Sequence, residues 1–499
     1  MLAKPERLGL VTEMTIGSSS QAGEGPDLIV PNPATGRSLA KLNFASIEQM
    51  ERAIAAARRA FDEGPWPRMS RRERSEALHA FADTLERHRD ELVATIVEEV
   101  GTPISTAGPM QVDIPLAVMR FMAEAAARDR DVQLGPKFAA SDSVSIVAHR
   151  PVGVIGAITA YNYPFSLAIS KVGAALAAGC TAVVSASPNA PFSTLLLGRL
   201  ASEAGLPPGV VNVVVADVAG NRLLSTSPSV DKVSFTGSIE VGRQVMAQAA
   251  QSVKGVVLEL GGKSAAIIMP GTALDEIVRA LHLRYSRNAG QGCASPTRLL
   301  VHKKQYDRFL ELSAEAMPSI RMGDPWDTKT DVGPLIRPQH RDRVEGFVID
   351  AKKAGAAIVS GGRRIDQGGG WFFEPTLVAG LDNDSHIAQH EIFGPVAIAL
   401  PYEDVDQAVS ISNDVAYGLA GYVFGADTGE CVAVASRLRA GTVTINGGGA
   451  ARPEAPFGGF KQSGIGRETG EWGIQEYLEP QHIQFAVRSP FARDSSFQG

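Results

Sequence analysis

An α/β fold built on mostly parallel sheets is the prediction for this sequence, and it rests on three observations. From about residue 151 the chain alternates short apolar strands with helical segments. The strands at 152–158, 181–185 and 210–215 are apolar along nearly their whole length, as strands covered on both faces must be. A second series of strands, at 264–269, 299–301, 396–400, 421–424 and 442–445, repeats the pattern with helices between.

Residues 17–26 are polar and Gly-rich, which predicts a mobile tail, with the first ordered element near Leu28. Ser46 and Gln49 have the spacing of a capping box, and Ile47, Met50, Ile54, Ala57 and Phe61 form one helical stripe after it. Ser70 and Glu73 repeat that signature. Helical spacing then runs through Leu78, Phe81, Leu85, Leu92 and Ile96 until Gly101 and Pro103 end it. Segment 141–152 alternates like an exposed strand, whose edge needs a partner. Helices are predicted at 165–178, where Gly179 stops the pattern, and at 193–204. Strand 232–235 follows. Further helices are expected at 275–284, 305–316, 340–354, 405–413 and 430–438.

At 499 residues the chain is too long for one ordinary core, so two or three domains are expected. A net charge of −6 argues against a polyanion-binding surface, so no nucleic acid is expected as partner. Cys180, Cys293 and Cys431 are too few and too scattered for a disulfide framework or a Cys-rich zinc site, so no metal is expected. The cysteine usage points to a reducing compartment. The first 24 residues carry no signal-peptide core, and no apolar run reaches membrane-spanning length. A soluble cytoplasmic protein with no membrane partner is the expectation.

Four segments could carry chemistry. Asn288-Ala-Gly-Gln-Gly-Cys293 sets a cysteine among glycines, where backbone can approach a ligand closely. A lone cysteine is more often a small buried hydrophobe, but a thiolate can also attack a carbonyl carbon. Glu259 sits in an apolar strand before Gly261-Gly262-Lys263. It either pairs with a cation such as Lys263, or burial raises its pKa toward that of a general base. Asn162, between a strand and a helix, is either a turn residue or an oxyanion donor. Phe235-Thr-Gly-Ser238 is a strand-to-helix turn of the sort that seats phosphate, a weak signal alone.

Their order decides. Asn162 in Tyr-Asn-Tyr-Pro, Phe-Thr-Gly-Ser at 235–238, Leu-Glu-Leu-Gly-Gly-Lys at 258–263 and Gly-Gln-Gly-Cys at 290–293 resemble the motifs of the NAD(P)-dependent aldehyde dehydrogenase superfamily in their usual sequence. The resemblance includes the interval from Glu259 to Cys293, Glu-Ile-Phe-Gly-Pro at 391–395 and Pro-Phe-Gly-Gly-Phe-Lys at 456–461, and it spans roughly residues 28 to 487. It implies an aldehyde dehydrogenase-like fold: a Rossmann-like cofactor domain (1–126 and 150–259), an α/β catalytic domain (260–446), and a β-strand oligomerisation element (127–149 and 447–499). A homodimer or homotetramer follows from it.

The resemblance also implies roles. Cys293 adds to a small-molecule aldehyde, Asn162 and the Cys293 N–H hold the oxyanion, and Glu259 activates water to hydrolyse a thioester. Lys171 lies near the proton path, unless it is an ordinary solvated helix lysine. Gly237 and Ser238 meet the cofactor pyrophosphate, Glu391 the nicotinamide ribose, and Phe393 packs beside the nicotinamide.

One block departs. Relatives have Lys-Pro-Ala/Ser-Glu where this chain has Ser185-Ala-Ser-Pro188, so Ser185 replaces the lysine that contacts the adenosine ribose. The lost acid removes repulsion against a 2′-phosphate, but no replacement cation is visible, and NAD is favoured over NADP. Two other readings remain open: a cofactor-independent thiol esterase, or a non-catalytic homologue without cofactor affinity. At the substrate entrance, Tyr161 and Tyr163 replace the common Trp and Phe, and Ser170 stands where some relatives carry an aromatic. A roomier, partly polar entrance is expected.

Overall fold

A computed structural model describes residue 4 and residues 8–137, 143–449 and 452–486 of the chain. Two large sheets dominate. The first has eight strands in the order Ser19–Gln21, Met14–Ile16, Val211–Val215, Thr181–Ala186, Val154–Ile158, Lys232–Thr236, Gly255–Glu259 and Gly464–Ile465. Its five central strands are parallel, and the outer pairings are antiparallel. The second has seven strands, with a parallel core that includes Ser264–Ile268 beside Pro296–His302.

The strands obey the composition rule. Val154–Ile158, Thr181–Ala186 and Val211–Val215 are buried at every residue. Helices Ile47–Asp62, Pro164–Ala178 and Phe192–Glu203 pack against this sheet. Both anticipated capping boxes form, Ser46 with Gln49 and Ser70 with Glu73. The long stripe after Ser70 is two helices, Arg71–Arg87 and Arg89–Val100, interrupted at His88. His88 leaves helical geometry there, and its ring reaches Glu91 and Glu203. Both helices keep the same buried face, so the apolar periodicity alone could not reveal the break. Gly101 ends the second with φ of 76°.

The tail expectation is corrected. Met14–Ile16 and Ser19–Gln21 form a hairpin on the edge of the first sheet, and Met14 and Ile16 are buried. Three residues carry too little periodicity to announce a strand. Segment Ser143–Pro151 is a strand, but not an edge. It lies between Val132–Lys137 and Leu478–Ala486 in a three-stranded antiparallel sheet. The partner it needed is supplied within the chain. Residues 487–499 of the anticipated oligomerisation segment lie outside the described residues. Among the described residues, no helix is long and apolar enough to cross a membrane.

The parallel core of the first sheet creates a reversal. The chain runs outward from Val154–Ile158 through Thr181–Ala186 to Val211–Val215, then returns to the other side of Val154–Ile158 with Lys232–Thr236 and Gly255–Glu259. Connections on either side of such a reversal diverge and leave a crevice beyond the strands' carboxyl ends. Asn162, Ser185, Thr236 and Glu259 all stand at or just past those ends.

Candidate active site

Cys293 follows a single turn, Arg287–Gly290, in which Asn288, Ala289 and Gly290 take φ of 52°, 55° and 72°. Consecutive left-handed residues cost energy in an L-chain, so surrounding contacts must hold this loop. Asn162 supplies two of them. Its side-chain N–H donates to the Gln291 carbonyl at 2.9 Å, and its own carbonyl accepts from the Asn288 amide at 2.9 Å. The Gln291 side-chain oxygen accepts the Ile336 N–H at 3.0 Å. Asn162 is thus brought against the Cys293 loop, with one amide N–H still uncommitted to Gln291. Gln291 and Asn288 were not anticipated, because an amide in a Gly-rich loop reads as solvated until its burial is known.

The Cys293 thiol is half-buried and free. Burial pushes its pKa up to about 12, aided by the Glu259 and Glu391 carboxyls and opposed by the N–H groups of Ala294 and Cys293 itself. Those two N–H groups therefore lie where negative charge on or near sulfur would be stabilised.

Gly262 explains the approach of strand and loop. A Cβ there would lie 2.2 Å from the Cys293 carbonyl oxygen. Gly262→Ala must therefore move the Cys293 backbone. We expect kcat to fall about a hundredfold, as for a displacement near one ångström, read as reduction of whichever nicotinamide cofactor the resemblance implies. Unchanged turnover would mean the loop tolerates the shift.

Glu259 is 3% exposed, and neither carboxyl oxygen has a hydrogen-bond partner among the described residues. Burial raises its pKa well above the usual carboxyl range, with Glu468 adding to the rise and Lys171 and Arg467 opposing it. The pairing with Lys263 left open by the sequence does not form. Lys263 is buried without a partner among the described residues, and burial depresses its pKa to about 7. Lys171 is no solvated helix lysine: it is fully buried and pairs with buried Glu468. Glu468 escaped the sequence reading because it lies in a glycine-flanked turn, where an acid is ordinarily solvated. Gly458, whose Cβ would sit 2.8 Å from a Glu259 oxygen, brings that turn close.

On the crevice side, Gly237 donates its N–H to the Glu259 carbonyl at 3.0 Å, and Ser238 caps the exposed N-terminus of helix Ile239–Ala249. Such a terminus attracts phosphate. Ser185 Oγ and Thr236 Oγ1 are buried and unpartnered. Glu391 accepts the Gly262 N–H at 2.8 Å, and burial raises its pKa to about 7. Phe393 takes φ of 58°, and its carbonyl accepts from His340 Nε2 at 2.6 Å. The Tyr161 ring meets Phe393 edge-on at 6.0 Å. These orphan hydroxyls, the helix terminus and the half-buried acid suit a dinucleotide, with both sets of residues meeting at Gly262. Among the described residues no cluster could hold a metal ion.

The model of the aldehyde dehydrogenase family matches residues 21–483. The chain is 40% identical to geranial dehydrogenase of Castellaniella defragrans, over 89% of this chain and 92% of that protein. It is 37% identical to succinate-semialdehyde dehydrogenase [NADP(+)] 2 of Schizosaccharomyces pombe, over 91% and 92%. Betaine aldehyde dehydrogenase of Staphylococcus aureus in complex with NAD+ superposes with a TM-score of 0.92 at 34% identity, covering 95% of each chain. A point mutant of aldehyde dehydrogenase C of Pseudomonas syringae, solved with NAD+ and octanal, gives 0.90 at 34%, covering 96% of this chain and 98% of that one. The chain belongs to the aldehyde dehydrogenase family, as the order of its motifs implied, and is an NAD(P)-dependent enzyme of that family.

Proposed function

We propose that this enzyme oxidises an aldehyde to a carboxylic acid through a covalent Cys293 thiohemiacetal and thioester. The observation that carries the reading is the meeting of three groups: Asn162 is hydrogen-bonded to the Cys293 loop, and the Glu259 carboxyl raises the thiol's pKa. A second negative charge beside the Glu259 carboxylate is disfavoured, so the thiol ionises by giving its proton to that carboxylate, which keeps the pair at one negative charge. The thiolate then adds to the aldehyde carbon. The free Asn162 N–H and the Cys293 N–H take the developing oxyanion, each worth about 3 kcal/mol in the transition state. When bound, the oxidised nicotinamide supplies the hydride acceptor. Lys171 with Glu468 passes the thiol's proton on, and Glu259, again a carboxylate, draws a proton from water as it attacks the thioester; the C–S bond breaks, releasing the acid and the Cys293 thiolate. A cofactor-independent thiol esterase lacks any use for the Ser238 terminus and Glu391.

The eight-stranded sheet is assigned to cofactor binding and the seven-stranded sheet to catalysis. Gly237 and Ser238 seat the pyrophosphate, Glu391 the ribose and Phe393 the nicotinamide flank. The three-stranded sheet exposes Val132, Leu134, Ile483 and Phe485, which suits assembly as a homodimer or homotetramer. Three free cysteines suit a reducing cytoplasm.

NAD is the cofactor favoured, held without the lysine contact that Ser185 cannot make. Adding NAD, then NADP, to the protein with a panel of aldehydes tests the reading by NADH or NADPH absorbance. No reduction with either cofactor would overturn it. Ser185→Lys is expected to tighten NAD binding about tenfold in calorimetric titration, the worth of one charge-assisted hydrogen bond. Equal or weaker affinity would show that another group already serves that ribose.

A further inference from the structure

The loop that carries Cys293 is held from a second direction, by residues that the reaction has not yet used. Helix Arg89–Val100 stops at Gly101, and the next residue, Thr102, is buried. A further helical run goes from Ile104 to Ala126, and its middle, Ala107–Asp113, is wound as a π-helix. Such π-turns inside α-helices are frequent at functional sites. This one carries Gln111, a long amide that is only 1% exposed. Gln111 Nε2 donates to Thr102 Oγ1 at 2.7 Å. The Thr102 hydroxyl donates in turn to Asn288 Oδ1 at 2.8 Å. Asn288 Nδ2 donates to the Asn162 carbonyl, and Asn162 Nδ2 to the Gln291 carbonyl, both at 2.9 Å.

These bonds share one direction, and the hydroxyl sets it. A hydroxyl has a single proton to give. Thr102 Oγ1 already accepts from Gln111, so its proton is turned to Asn288. An amide offers oxygen at one edge and N–H at the other. With its oxygen drawn to Thr102, Asn288 presents its N–H to the Asn162 carbonyl. Turned over, it would set an oxygen against that carbonyl. Turning Gln111 over would claim the hydroxyl proton and leave Asn288 Oδ1 without it. Asn288 also has φ of 52°, a strained conformation that needs an anchor. Gln111, Thr102, Asn288 and Asn162 are all buried, where hydrogen bonds gain strength and water cannot replace a lost partner.

We propose that Thr102, its proton directed by Gln111, is a positioning residue for catalysis: through Asn288 it fixes the Asn162 amide that receives the oxyanion. The proposal rests on the aldehyde-oxidation reading above and extends it to residues outside the reacting groups. An oxyanion donor helps only when it is in place before charge develops. Loosening the chain is therefore felt in the transition state and not in substrate binding.

Thr102→Val keeps the shape of the side chain and removes the hydroxyl. The first-turnover rate of cofactor reduction should fall about tenfold to a hundredfold, somewhat less than for outright loss of an oxyanion donor. The aldehyde concentration giving half that rate, and the cofactor affinity, should stay within about twofold. Thr102→Ser restores the hydroxyl and should recover most of the rate. Gln111→Leu frees the hydroxyl proton to turn away and should fall between the wild type and Thr102→Val. Two controls separate positioning from general loosening. Alkylation of Cys293 by iodoacetamide forms no oxyanion, so Thr102→Val should leave its rate unchanged. In an Asn162→Ala background, Thr102→Val should cost nothing further, because the donor it positions is gone.

An unchanged first-turnover rate in Thr102→Val, an equal loss in both backgrounds, altered alkylation, or no recovery in Thr102→Ser would overturn the proposal. A crystal structure of Thr102→Val should show the Asn162 amide displaced from the Gln291 carbonyl. Asn162 left in place would overturn the proposal even if the rate fell. Wild-type protein inactive on every aldehyde would remove the oxidation reading instead, and the position of Asn162 in Thr102→Val would still decide whether Thr102 holds it.

Discussion

Replacing Cys293 by alanine should abolish aldehyde oxidation, with kcat reduced by at least about ten-thousandfold, as when an enzyme loses its only nucleophile. The side chain is half-buried, so the change leaves a cavity at the mouth of the site rather than in a core. Folding should survive, and calorimetry should return an unchanged affinity for NAD, because no cofactor group is assigned to the sulfur. Cys180 and Cys431 cannot substitute. Both are buried, and burial lifts the Cys180 thiol to about 12 despite the N–H groups of Gly153 and Val152 that oppose the rise. A Cys293→Ala enzyme that still turns over aldehyde at a tenth of the normal rate would sink the covalent route. Loss of turnover together with loss of NAD binding would instead point to collapse of the loop that Asn162 holds.

Cys293, Glu259 and Asn162 stood out in the sequence as candidates because each sits in a local pattern that chemistry restricts: glycines around a sulfur, an acid in an apolar strand, an amide at a strand-to-helix step. Glu468 and Gln291 were not legible. Their significance is burial across the chain, Glu468 against Lys171 and Gln291 against Asn162, and composition near each residue says nothing of a partner that distant. The same limit governed the fold. The central strands announced themselves by continuous apolar residues, whereas Met14–Ile16 is too short to show a period beside the polar residues that follow it. The strand Ser143–Pro151 was visible by its alternation, but its two neighbours come from either side in sequence, and pairing is a tertiary fact. The break at His88 was hidden because both helices bury the same side.

Glu259→Gln should separate the two halves of the reaction and stabilise the fold at the same time. If Glu259 activates water, the variant still forms one equivalent of NADH per site in a rapid burst. Steady-state turnover then drops by about a hundredfold to ten-thousandfold, the range for losing a general base. The wild-type rate should rise with pH through the raised Glu259 pKa, since only the carboxylate accepts a proton, and the variant should lose that limb. Stability runs the other way. A carboxyl whose folded pKa exceeds its unfolded value holds its proton longer when folded. The fold therefore loses stability as pH rises from about 4.3, the unfolded value, through the folded pKa. The native carboxyl is buried with no hydrogen-bond partner among the described residues, so ionising it is costly, and an uncharged amide of the same shape removes that penalty. The variant's Tm should exceed that of the wild type at pH 7 and converge with it near pH 4. A lower Tm at neutral pH would mean that Lys171 and Arg467 hold Glu259 as a stabilising anion. The acid would then be ionised at rest and ready to take the thiol's proton, and the rise of rate with pH would have to belong to another group.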